Sequence, residues 1–152
     1  IQIAPVFLFR SALPVNLIDG RDLNLDGDAL DIPTKAYRVA SFDPSQTLAS
    51  NKMVTIEEIG DCKTVNCGRG YYQTTTNLRV SKSFALRGRS RLEINGDIFN
   101  VFNALNPSGF RARVIVPSTG VADPALLQPT TFSGDFRRPE QRVGQVGFRF
   151  SF

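Results

Sequence analysis

The chain has 152 residues and a net charge of +4, and 41% of its residues are hydrophobic, which suits a folded domain. Arg10, Arg79 and Asp97 interrupt its most apolar stretches, so no run approaches the roughly 18–20 residues that a membrane-spanning helix needs. With two cysteines and no histidine it cannot form a cysteine–histidine metal cage. A role in a membrane would therefore depend on β-strands.

The first predicted element is a strand near residues 1–17. Alternate positions place apolar side chains on one of its faces, namely Ile1, Ile3, Phe7, Phe9 and Leu13. Pro5 and Pro14 weaken this strand because proline has no backbone N–H to donate. The sequence begins without methionine or a signal stretch, and we expect it to be a C-terminal piece of a longer protein.

A long loop over residues 18–70 follows, and it begins with an acidic segment. Oxygen-bearing side chains occur there at Asp22, Asn24, Asp26, Asp28 and Asp31. The first four match positions one, three, five and seven of a calcium-binding EF-hand loop, and Gly27 matches the glycine of its sharp turn. The twelfth position is Pro33 instead of glutamate, so Asp31 would have to complete a modest Ca²⁺ site. An ordinary solvated turn uses the same residue types, and both interpretations stay open.

The same loop contains both cysteines, Cys62 and Cys67, separated by four residues. That spacing allows a small disulfide without requiring one. We predict a bridge, which would fit an oxidising compartment outside the cytoplasm.

Two alternating segments come next and predict a hairpin. The strand near residues 72–86 places Leu78, Val80 and Phe84 on one face, with Arg79 on the other. A four-residue polar turn, Arg87 to Ser90, leads into a strand near residues 90–103. Its apolar face holds Leu92, Ile94, Ile98 and Phe102, and its polar face holds Glu93, Asn95 and Asp97.

A second long loop, residues 103–138, precedes a last strand near residues 140–152. Residues 110–116 of the loop predict a strand extension ended by Pro117. In the last strand Val146, Phe148, Phe150 and Phe152 alternate with Gln145 and Arg149. Long, short and long connections are typical of outer-membrane barrels, whose extracellular loops are long and whose periplasmic turns are short. We predict an all-β, antiparallel transmembrane barrel segment of about four long strands.

The strand segments resemble the closing strands of TonB-dependent outer-membrane receptors, particularly the Oar-like subgroup. The resemblance lies in residues 76–86, in the segment of residues 90–103 that ends Phe-Asn-Val-Phe-Asn, and in the aromatic C-terminus of residues 146–152. The loop of residues 20–28 also resembles one that such barrels carry. Residues 36–70 and 111–138 have no counterpart.

The resemblance implies a wall segment of an energised uptake receptor in the bacterial outer membrane, with extracellular loops and a periplasmic C-terminus. Its partners would be outer-membrane lipid, the remaining barrel and its plug, and the TonB complex. The barrel-assembly machinery would read Phe148, Phe150 and Phe152. The sequence does not identify the substrate. Two alternatives stay open: a secreted β-sandwich binding or adhesion module with a calcium loop, and a subunit whose copies assemble edge to edge.

Enzymatic and nucleic-acid-binding functions are not expected. The chain has no histidine, no nucleophile elbow and no phosphate-binding glycine loop, and its carboxylates suit solvated positions. Arg87, Arg89 and Arg91 form a basic turn, but no recognition-helix or RNA-binding pattern accompanies them.

Overall fold

The computed structural model describes residues 1–135, 138–139 and 141–152, and the chain is all-β with antiparallel sheets. This confirms the all-β, antiparallel part of the predicted fold class. A 3-10 turn occurs at Leu48–Ser50. The strands are β1 (Gln2–Arg10), β2 (Pro14–Val15), β3 (Lys35–Phe42), β4 (Val54–Asp61), β5 (Gly68–Arg69), β6 (Gln73–Ala85), β7 (Arg91–Phe99), β8 (Pro107–Phe110), β9 (Pro129–Phe132), β10 (Gly134–Asp135), β11 (Arg138–Pro139) and β12 (Val143–Ser151).

Residues 136, 137 and 140 belong to the predicted second loop and to the beginning of the predicted last strand. They lie outside the described residues. Over the described ranges, no helix has the length and apolar character needed to cross a membrane.

The chain divides into two compact units. The sheet unit consists of Ile1–Phe9, Thr74–Ala104 and Glu140–Phe152. The loop unit consists of Arg10–Gln73 and Leu105–Pro139. The segments predicted as two separate long loops therefore supply most of one folded unit.

The sheet unit contains the four long strands in the order β1-β6-β7-β12. Each strand falls within its predicted range, and the pairings of β6 with β7 and of β7 with β12 are antiparallel. Among the described residues this sheet is open, with β1 and β12 as its outer strands, and these four strands do not close into a barrel.

Two predicted strands are too long. The first strand ends at Arg10 and not near residue 17, and Leu13 lies beyond it. The hairpin strand ends at Phe99 and not near residue 103. Asn100 and Asn103 have positive φ angles of 50° and 52°, a left-handed conformation that turns the chain out of the ladder.

The strand register confirms the predicted separation of apolar and polar side chains. Directly opposed residues of neighbouring strands share a face of a sheet. One face carries Leu78, Val80, Phe84, Leu92, Ile94, Ile98, Val146, Phe148 and Phe150. The other face carries Arg79, Glu93, Asn95, Asp97, Gln145 and Arg149. A slip of one residue would have exchanged these two sets.

The loop unit has a hydrophobic core of its own. Its strands include a sheet in the order β2-β5-β3-β4 and a two-stranded pair of β8 with β9. The core residues come from separate parts of the chain: Val15, Leu17, Val39, Val54, Val114, Leu126 and Leu127. The predicted strand over residues 110–116 is wrong, because β8 ends at Phe110. Beyond β8, Arg113 and Ile115 form only isolated bridges, with Ile18 and Ala122.

Candidate functional site

The polar face of the sheet unit is organised around the carboxylate of Asp97. Arg79 Nε and Nη2 donate to its two oxygens over 2.5 and 3.1 Å. Gln145 Nε2 and Asn95 Nδ2 donate to Oδ2 over 3.0 and 3.3 Å. The Asp97 side chain is only 5% exposed, so this network compensates the burial of a charge.

Glycine on β12 makes room for this network. Gly147 lies opposite Asn95, and a Cβ atom at Gly147 would lie 2.7 Å from Asn95 Oδ1. That distance is shorter than van der Waals contact, so any larger residue would displace the Asn95 amide. Gly147 therefore allows Asn95 to reach Asp97.

The opposite face of the same sheet exposes large hydrophobic side chains. Phe148 is 72% exposed and Val146 is 68% exposed. The register also places one charged residue, Lys82, on this face, which the sequence prediction did not include. Its Nζ lies 4.8 Å from the centre of the Phe84 ring, a cation–π contact. A lysine can keep its aliphatic stem on apolar surface while its charge reaches a polar boundary.

The Phe-Asn-Val-Phe-Asn segment forms a turn after β7 held by Asn100, which is fully buried. Its side chain accepts from Ala104 N over 2.9 Å and donates to Ala104 O over 3.1 Å. Asn100 N donates to Asn77 Oδ1. Phe102 is 72% exposed. Asn77 and Asn100 thus have a structural role in ending the strand, and the Phe102 side chain is exposed.

The structure brings the predicted calcium ligands into one exposed loop, where they bind the loop's own amides. Asp22 accepts from Asp26 N and from Gly27 N over 3.1 and 2.9 Å. Asp26 Oδ1 accepts from Asp28 N, and Asp31 Oδ2 accepts from Leu23 N and, over 3.3 Å, from Asn24 N. Within the described part of the chain, no group of three or more histidine, cysteine, aspartate or glutamate side chains is arranged to hold a metal ion. Calcium binding stays a prediction.

The predicted disulfide between Cys62 and Cys67 is present, with Cα atoms 5.5 Å apart. It closes the connection between β4 and β5. The nearby Asn66 has a positive φ angle of 62°, and its backbone N donates to Asn16 Oδ1 over 3.3 Å. The bridge therefore lies where the chain turns sharply in the loop unit.

The last of the predicted site residues, Phe148, Phe150 and Phe152, are all exposed. The rings of Phe150 and Phe152 have centroids 6.0 Å apart. Phe152 follows the end of β12 and is 97% exposed. Recognition of these three phenylalanines by the barrel-assembly machinery stays a prediction.

A cavity of about 410 Å³ in the loop unit was not anticipated from the sequence. Its charged lining residues are Arg38, Glu57 and Arg69, and its aromatic wall contains Tyr71 and Tyr72. The remaining lining residues are Ala12, Val39, Ala40 and Gly70. The adjacent tyrosines after Arg69 were the only signal in the sequence, because the two arginines are 31 positions apart in the chain. We call this site the arginine–tyrosine cavity.

Three charged side chains meet in this cavity because their strands are neighbours. Arg38 on β3 lies opposite Glu57 on β4 and also opposite Arg69 on β5. Arg38 Nη2 forms an ion pair with Glu57 Oε1 at 2.5 Å. Arg69 Nη1 donates to the carbonyl oxygens of Asn66 and Gly68 over 2.6 and 2.9 Å, which fixes the position of its guanidinium group.

Ring contacts also hold the aromatic wall of the cavity in place. The rings of Tyr71 and Tyr72 have centroids 4.2 Å apart, and Tyr71 also contacts Phe42 at 5.6 Å. The side-chain hydrogen bond with Tyr72, together with burial, raises the pKa of Tyr71 to about 12. A Cβ atom at Gly70 would lie 2.3 Å from the Phe110 ring, so glycine permits the close packing that holds this wall in place.

Comparisons with protein-family models, with curated proteins and with solved structures found no match to this chain.

Proposed function

We propose that this chain forms part of the wall of an outer-membrane β-barrel, in a TonB-dependent receptor whose substrate is not identified. The observation that carries the proposal is the two-faced sheet of β1, β6, β7 and β12. One face is apolar and exposed, while the other holds the buried carboxylate of Asp97 and its hydrogen-bonding partners. A barrel wall has this arrangement, with lipid outside and a hydrated lumen inside.

Lipid is the occupant that best suits the apolar face. Isolated exposed hydrophobic residues are normal, but here they form a continuous surface across three paired strands. Removing such surface from water is favourable by about 25 cal/mol per Å². Strands β7 and β12 have nine residues each, and β6 has 13, which suits tilted strands crossing a bilayer.

The polar face is better suited to a lumen than to lipid. Asp97 and Arg79 form an ion pair surrounded by amide groups, and ionised groups facing hydrocarbon are costly. The two long connections of the sheet belong to the loop unit, while a short turn joins β6 to β7. We therefore propose that the loop unit is extracellular and that the turn and the C-terminus are periplasmic.

Tryptophan fluorescence in brominated lipid tests this proposal. The chain contains no tryptophan, so a single introduced one reports its own surroundings. Phe148→Trp places the indole on the apolar face, and Arg149→Trp places it on the polar face one residue away. After reconstitution, bromine on the acyl chains should quench the fluorescence at position 148 strongly and that at position 149 weakly.

Equal quenching at both positions would contradict the proposed orientation. A chain that stays folded and monodisperse without detergent or lipid would contradict membrane residence, and would favour a secreted binding module instead. Circular dichroism of both variants, compared with the unmodified chain, controls for misfolding.

A further inference from the structure

We propose that the arginine–tyrosine cavity binds a saccharide that carries a carboxylate group, and that this ligand is captured on the extracellular side. The extracellular placement rests on the proposed function, whereas the ligand class rests on the cavity itself. The class follows from charge, from pre-ordered hydrogen-bond donors and from the aromatic wall.

The charges favour an anionic ligand. Glu57, Arg38 and Arg69 form one cross-strand row that holds two guanidinium groups and one carboxylate, and that carboxylate pairs with Arg38. Like charges on directly opposed residues of neighbouring strands repel each other. Among the described residues no carboxylate forms an ion pair with Arg69, whose guanidinium group donates to backbone carbonyls instead. A ligand carboxylate between the two arginines would offset their repulsion.

Arginine also specifies the geometry of the anion. Its planar fork of N–H groups matches a carboxylate in a bidentate manner. Arg69 is held through Nη1 alone and Arg38 through one Nη2 contact, so both keep further N–H groups for a ligand. Because the protein already orients these groups, little side-chain freedom would be lost on binding.

The remaining wall suits a sugar ring. A pyranose has apolar C–H faces that pack on aromatic rings, and hydroxyl groups that need donors and acceptors at its edge. Tyr71 and Tyr72 supply the aromatic surface, and Glu57 supplies an acceptor. The volume of about 410 Å³ is within the range of small-molecule sites.

Isothermal titration calorimetry with galacturonate and galactose tests the ligand class, because these sugars differ at one carbon by a carboxylate. The folded chain in mild detergent should bind galacturonate at least about tenfold more tightly than galactose, as expected for one added charge-assisted interaction. Inorganic phosphate serves as a bare anion and should bind more weakly than galacturonate.

Two variants should change galacturonate affinity in opposite directions. Arg38→Gln removes a donor and should weaken binding about tenfold or more. Glu57→Gln removes a competing carboxylate and frees Arg38, so it should strengthen binding. A general loss of structure could not produce both effects. Lys35→Gln is the matched control, because Lys35 lies on the same hairpin and pairs with Glu58 and Asp61 outside the cavity lining.

Four results would each overturn the inference. Galactose or phosphate could bind as tightly as galacturonate, galacturonate could fail to bind, or its affinity could be unchanged in Arg38→Gln. The membrane experiment is independent of this one. Galacturonate binding without lipid quenching would keep the ligand site and remove the receptor role. Lipid quenching without galacturonate binding would remove the ligand site alone.

Discussion

The acidic loop from Asp22 to Asp31 gives a test at the scale of single residues. In the structure its oxygens accept hydrogen bonds from loop amides, yet each carboxylate keeps further lone pairs for an ion. If calcium binds, we expect a dissociation constant of about 10⁻⁴–10⁻³ M, as in extracellular modules. Calorimetry should then show binding heat that is lost in Asp22→Ala and in Asp26→Ala.

The control is Asp43→Ala, which removes a carboxylate from another exposed loop of the same unit. Asp43 accepts hydrogen bonds from Ser45, and these lower its pKa. Calcium heat should be unchanged in this variant. Absence of heat in the unmodified chain would leave Asp22–Asp31 as a hydrogen-bonded turn.

Asp97 and Arg79 show what sequence reasoning can predict about individual residues. Alternation alone assigns both residues to the polar face, because side chains on a strand change face at every residue. Their direct contact depends on the register of β6 against β7, which puts Arg79 opposite Asp97. That register depends on the length of the turn: Ala85 pairs with Arg91, so five residues lie between the strands and not the predicted four. A four-residue turn would have placed Arg79 opposite Ile98, and so the pair with Asp97 was not predicted.

At the scale of elements, the long strands were predictable and the loop unit was not. In β6, β7 and β12 the alternation persists over nine or more residues, and a long periodic signal identifies a strand clearly. In the loop unit β2 and β5 have two residues each. Five of its seven core residues lie outside the eight-residue strands β3 and β4, in short segments that no periodic pattern marks.

The contribution of the loop unit's core to stability can be tested at Leu127. It is fully buried in the core of the loop unit and has a positive φ angle of 56°. Leu127→Ala should lower the free energy of unfolding of this unit by about 2–5 kcal/mol, because buried apolar surface is lost and a cavity remains. Urea denaturation followed by the near-ultraviolet circular dichroism of the tyrosines measures the change, because all three lie in this unit and Tyr37 and Tyr71 pack against its core.

Leu25→Ala is the matched control for this measurement. Leu25 also has a positive φ angle, 63°, but it is 86% exposed. The substitution is therefore the same in residue type and in backbone conformation, and differs in burial. We expect a change within about 0.5 kcal/mol. Similar losses in both variants would show that backbone conformation, and not the core, determines the effect.

At the scale of the whole molecule, the sheet of β1, β6, β7 and β12 has two edges, and the proposed membrane location makes both edges costly. Strands at the edge of a sheet present unpaired backbone N–H and C=O groups. In hydrocarbon each unsatisfied group costs several kcal/mol. The smallest single-chain membrane barrels have eight strands, twice the number in this sheet. Another polypeptide segment must therefore cover β1 and β12.

The partner that covers these edges is either the rest of a barrel or further copies of this chain. Hydrogen exchange combined with native mass spectrometry distinguishes such an assembly from a single chain. In a lipid-reconstituted assembly the amides of β1 and β12 should be protected as strongly as those of the inner strands β6 and β7, because all four strands then have neighbours on both sides. Native mass spectrometry should give a mass above that of a single chain. In detergent-dispersed single chains β6 and β7 should stay protected, while β1 and β12 exchange faster. A single chain in lipid with all four strands equally protected would contradict an open wall segment, since its edges would then be satisfied without a partner.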